Sequence, residues 1–126
     1  MTERVPLTIL KNLIHNETYT RQVIPFIEPD YFEERTDRIV FEEVAKFLNE
    51  YDKTPTKEVL HIEVEKRLDV TEDEYKTIEQ LISALDTEVS ESKWLLDTTE
   101  EWCKSRAIYL APVSYTHLTL PTSDLV

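Results

Sequence analysis

Glycine does not occur in this sequence. A chain of 126 residues at the average usage of about 7% would hold around nine. The absence excludes a good deal. Tight β-hairpins need residues at positive φ, and a phosphate-cradling loop needs backbone amides unobstructed by side chains. A strand-rich fold and a nucleotide P-loop are therefore both disfavoured, and no G-x-x-x-x-G-K-[ST] motif can exist here. Cysteine is almost as scarce. Cys103 stands alone, so no internal disulfide can form, which fits a reducing, cytoplasmic setting. No run approaches about 18 apolar residues, so no membrane-spanning helix is expected. The opening Met1–Pro6 segment lacks the basic lead into an apolar stretch that a secretory signal requires. Positive charge is also short: 14 Lys and Arg stand against 26 Asp and Glu, a formal charge of −12. Nucleic-acid affinity comes mainly from basic side chains displacing counterions, so direct DNA binding is not expected. A protein partner with a basic surface is the natural complement.

What is present suits helices. A hydrophobic fraction of 40%, with four Phe, six Tyr and two Trp, supplies one modest core. Leu7, Leu10, Leu13 and Ile14 predict a helix over 7–15. A short helix over 17–27 follows, capped by Asn16, with Pro25 distorting its end. Asp30-Tyr31-Phe32-Glu33 reads as a further cap with a capping-box glutamate. Val40, Val44, Phe47, Leu48 and Tyr51 form an apolar stripe on a helix over 36–51. Thr56 caps a helix over 57–68, with Glu58 in its first turn and Lys66-Arg67 in its last. Thr71-Glu72-Asp73-Glu74 is a full capping box opening a helix to about residue 85, with Tyr75, Ile78, Ile82 and Leu85 inward. Residues 86–92 read as an acidic linker. A last helix spans about 92–111, its apolar residues in two rows: Leu95, Trp102 and Tyr109, with Leu96, Cys103 and Leu110 beside them. The fold class is all-α.

The character changes at Pro112. The last fifteen residues hold one charge, Asp124, and Pro112 interrupts the helical pattern. The stretch VSYTHLTLPT, residues 113–122, resembles the translated read-through of a transposase-type sequencing adapter. Residues 112–126 are therefore expected to be non-native, and the natural protein is expected to continue beyond Ala111.

No constellation points to catalysis. Glu58 and His61 form an E-x-x-H pair at i, i+3, but a di-iron bundle needs two such pairs and two further glutamates. His15 and His117 are preceded at that spacing by Asn12 and Ser114, so no metal site is expected. The acids at 33–34, 42–43 and 72–74 are neighbours, which point about 100° apart on a helix and read as solvated faces or caps. Cys103 sits in an apolar row as a small hydrophobe. Serines 83, 90, 92 and 105 lack a nucleophile-elbow context. Trp94, Leu95, Trp102 and Tyr109 on the last helix are candidate interface anchors, with packing on the chain's own core as the alternative.

Residues 7–56, LTILKNLIHNETYTRQVIPFIEPDYFEERTDRIVFEEVAKFLNEYDKTPT, resemble the start of the replicative helicases of T-even-type phages, which belong to the DnaB-like family. Residues 94–111, WLLDTTEEWCKSRAIYLA, resemble the helix that follows in that family. The resemblance implies a small orthogonal bundle of about five to six helices over 1–88. The first, long arm of a helical hairpin would then occupy 89–111. It implies a complete parent that is a ring-shaped hexamer unwinding DNA with ATP and Mg, in the cytoplasm of the infected bacterial host. The catalytic RecA-like domain is not represented, so no catalytic residue carries over and no cofactor is expected on this chain. The implied partners are other helicase subunits, primase and the helicase loader. With the hairpin's second arm missing, the chain is not expected to form the hexamer. A standalone acidic phage protein, a DNA mimic or inhibitor, is the alternative. Scattered Lys46, Lys57, Lys66, Arg67, Lys104 and Arg106 count against a DNA-like surface.

Overall fold

The computed structural model describes residues 4–85 and 91–115, with side chains described over 5–85 and 91–110. Among these residues the protein is all-α: six helices and no strand. They are α1 (Arg4–His15), α2 (Glu17–Val23), α3 (Arg35–Tyr51), α4 (Lys57–Glu65), α5 (Glu72–Ser83) and α6 (Ser92–Tyr115). Two 3₁₀ turns, Ile24–Phe26 and Pro29–Tyr31, join α2 to α3. The expected 86–92 linker falls largely outside the described residues, as does the tail from 116 onward.

Helices α2, α4 and α5 start where a side chain satisfies a free amide of the first turn. The Asn16 side chain accepts from the Tyr19 amide, and Thr56 accepts from the Val59 amide. Thr71 and Glu74 form the predicted capping box in full. With no glycine to end α3, Asp52 takes the left-handed conformation at φ 58°, ψ 32°. A short polar side chain tolerates that region better than a bulky one. Arg21 then binds both the Asp52 carboxylate and its backbone carbonyl.

One core joins all six helices. Ile9, Leu10 and Leu13 of α1, Val40 and Val44 of α3, Leu60 of α4, and Ile78 and Ile82 of α5 are sealed from solvent. Phe32 anchors one side, tilted against Phe41 at 5.3 Å and against Trp102 at 5.0 Å between ring centroids. Burying a side chain of that size contributes about 1.5–3 kcal/mol. Two buried polar side chains are satisfied locally: Thr20 donates to the Leu13 carbonyl, and Asn12 to that of Thr8. The His15 Nε2–H donates to the Leu85 carbonyl at 3.1 Å, tying α1 to the end of α5.

Four local expectations are corrected. The proposed cap at Asp30 is instead part of the 3₁₀ turn, because Phe32 leaves it in extended conformation to enter the core. The helix over 57–68 ends at Glu65, so Arg67 lies beyond it and bonds Glu42, Glu43 and Asp69. The stripe on α3 turns by its end: Val40 and Val44 are buried, but Tyr51 is exposed and stacks on Phe47. Finally, α6 continues through Pro112 to Tyr115. A proline there removes one backbone hydrogen bond near the helix end, a loss the preceding turns of a 24-residue helix accommodate.

Candidate interaction surface

Helix α6 decides which surfaces this protein can offer, because it packs on the bundle through a few side chains, Leu95 and Thr99 above all, and leaves most of its others exposed. Its first turns close the bundle over α1 and α2. Leu95 is fully buried in the common core. One turn on, the buried Thr99 hydroxyl meets the Tyr19 hydroxyl at 2.6 Å. Burial pushes the Tyr19 phenol well above its ordinary range, so it remains neutral. Trp102 is half-buried, edge-on to Tyr31 at 6.0 Å and tilted over Phe32. Cys103, also half-buried, has its thiol pushed up to about 11 by desolvation.

Arg106 makes the last tie. Its Nε donates to the Tyr31 carbonyl at 2.6 Å, and Nη1 lies 3.4 Å from the Glu33 carboxylate. Its guanidinium also sits over the Tyr109 ring, 4.8 Å from the centroid, within cation–π range. Beyond this point α6 turns large apolar side chains to solvent: Ile108 is 72% exposed and Tyr109 67%. Trp94, at the other end of the helix, is 51% exposed.

The four predicted anchors therefore divide. Trp94 and Tyr109 are open to a partner, whereas Leu95 is spent on the chain's own core and Trp102 is half-engaged there. A seven-residue repeat on a straight helix drifts by about 20° per repeat, and the bundle that covers Leu95 does not extend to Tyr109.

Between α6, the start of α1 and the loop into α3 lies a groove of about 710 Å³. Tyr31, Trp102 and Tyr109 line it together with Glu33, Glu34, Glu101 and Arg106. Periodicity could not find it, since it is assembled from residues some 70 positions apart, as the Arg106–Tyr31 bond shows by its separation of 75.

The E-x-x-H pair does not converge. Glu58 is exposed, and His61 faces Glu79 of α5, with Nδ1 3.9 Å from the carboxylate. Glu79 in turn accepts from the Tyr75 hydroxyl. Among the described residues no group of His, Cys, Asp and Glu could hold a metal ion, and no helix is long and apolar enough to cross a membrane.

No family model matches the chain. Over 103 residues, 82% of its length, it is 31% identical to a DnaB-like replicative helicase of Enterobacteria phage T4. The chain spans 22% of that relative's length. The chain is thus similar, over most of its length, to about a fifth of a phage replicative helicase.

Proposed function

We propose that this chain is the N-terminal collar and assembly domain of a hexameric DnaB-like replicative helicase. On this reading it takes part in DNA replication by holding subunits together and by engaging primase or the helicase loader. ATP and Mg act in a catalytic domain elsewhere in the parent, and the chain itself catalyses nothing. The observation that carries the reading is the 31% identity along 82% of the chain. The geometry supports it through α6, which packs on the bundle by Leu95, Thr99 and the half-buried Trp102 while Trp94, Ile108 and Tyr109 remain exposed to a neighbour. Large exposed aromatics on a rigid element make effective interface anchors, because little conformational entropy is lost on contact.

The test is a chimera in which residues 5–111 replace the aligned segment of the T4 relative. The expected result is a helicase that still assembles in sedimentation with nucleotide and still unwinds DNA. Replacing Trp94 and Tyr109 by Ser in that chimera should weaken assembly by tenfold or more, on the scale of about 1.4 kcal/mol or more for lost anchors. A folded chimera that stays monomeric would overturn the proposal. So would one whose assembly ignores the two substitutions, as regards α6.

A further inference from the structure

The groove beside α6 has a chemistry that subunit pairing through apolar contacts does not use. We infer that it is a docking site for a basic segment of a partner protein, one that places a lysine or arginine side chain among the aromatic rings and carboxylates lining the groove. This inference stands on the side chains of the groove and does not depend on the helicase reading.

Three aromatic rings, Tyr31, Trp102 and Tyr109, and three carboxylates, Glu33, Glu34 and Glu101, line the groove. Aromatic faces attract cations through their quadrupole, and guanidinium does so most readily because it is weakly hydrated. The chain already displays this recognition within itself. Arg106 lies over the Tyr109 ring while reaching Glu33 and the Tyr31 carbonyl. That one cation leaves the Glu34 and Glu101 carboxylates, both on exposed residues, without an ion pair among the described contacts. A cationic segment lying along α6 would meet them in turn. The charge of the whole chain, −12, steers basic partners towards it and repels a phosphate backbone. A groove lined by aromatic rings and acids therefore selects a basic protein segment over both nucleic acid and an acidic peptide.

Because the chain holds only two tryptophans, Trp94→Phe leaves Trp102, which lines the groove, as a single fluorescent reporter. The probe is a synthetic peptide alternating Arg and Leu, titrated into the full chain at low and at physiological salt, with a Glu and Leu peptide as control. Saturable change in Trp102 emission is expected with the basic peptide alone, weakening as salt rises. The double variant Glu34→Gln, Glu101→Gln removes two exposed charges without touching the core and should weaken binding about three- to tenfold, since exposed pairs contribute modestly. The basic peptide leaving Trp102 unchanged would overturn the inference, as would equal binding of the acidic peptide or unaltered affinity in the double variant. Binding of a single-stranded oligonucleotide at the same site would also overturn it, by favouring nucleic acid.

Discussion

At the scale of single residues, the environment of Cys103 illustrates how burial sets reactivity. The sequence places it in an apolar row and predicts a small hydrophobe, and the structure finds it half-buried with its thiol pushed up to about 11. Among the described residues no cation stands beside it to favour the thiolate, and desolvation raises its value. The thiolate, which is the reactive form, is then about a thousandth of the population at pH 8. Reaction with an aromatic disulfide reagent should accordingly run on the order of 100-fold slower than for free cysteine, and accelerate once the protein is unfolded in urea. A rate equal to that of free cysteine in the folded protein would show that the helix surface around Cys103 is open. The same scale marks a limit of sequence reading. Leu95, Trp102 and Tyr109 share a heptad row, yet they are respectively buried, half-buried and exposed. Spacing identifies a face, but the extent of the neighbouring helices determines which part of that face is covered.

At the scale of elements, what was legible followed from local chemistry. The Asn16, Thr56 and Thr71 caps hold, and of the inward set Tyr75, Ile78, Ile82 and Leu85 the last three are buried while Tyr75 packs partly buried against the core. Each rests on contacts within one or two turns. The misreading at Asp30 arose where a long-range demand, the burial of Phe32 against Trp102, overrode a plausible local cap. The start of α5 also makes stability depend on pH. Its capping-box residue Glu74 accepts from the Thr71 amide and pairs with Arg35, and these hold its carboxyl below the usual glutamate range. In the same corner the Arg67 guanidinium lowers Asp69 to about 2. A carboxylate with a depressed folded-state value adds stability that is complete above its unfolded value, near 4.3 for Glu, and is lost as pH falls through the folded one. The thermal midpoint of Glu74→Ala should lie below that of the unsubstituted chain at pH 7, and the gap should narrow at pH 3. A gap that stays constant between those pH values would remove Glu74 from the account.

At the scale of the whole molecule, α6 is part of the bundle's core as well as a bearer of its exposed surface. A chain ending at residue 91 loses Leu95, the Trp102 contact with Phe32 and the hydroxyl that Thr99 presents to Tyr19. Burial of the two apolar side chains alone implies a loss of at least about 3 kcal/mol. Urea unfolding followed by circular dichroism should therefore show a clearly lower midpoint, or no cooperative transition, for the shortened chain. An unchanged midpoint would mean that residues 4–85 are self-sufficient.

The Tyr19–Thr99 bond spans 80 residues, and this separation has a meaning in time. Ribosomes extend a chain at about 5–20 residues per second, so Tyr19 emerges roughly 4–16 s before its partner. For that interval the nascent helices carry an uncovered apolar flank where Leu95 and Trp102 will later settle. The chain is thus most exposed to misassociation or chaperone capture while it is still being synthesised, and that window closes when the first turns of α6 leave the ribosome.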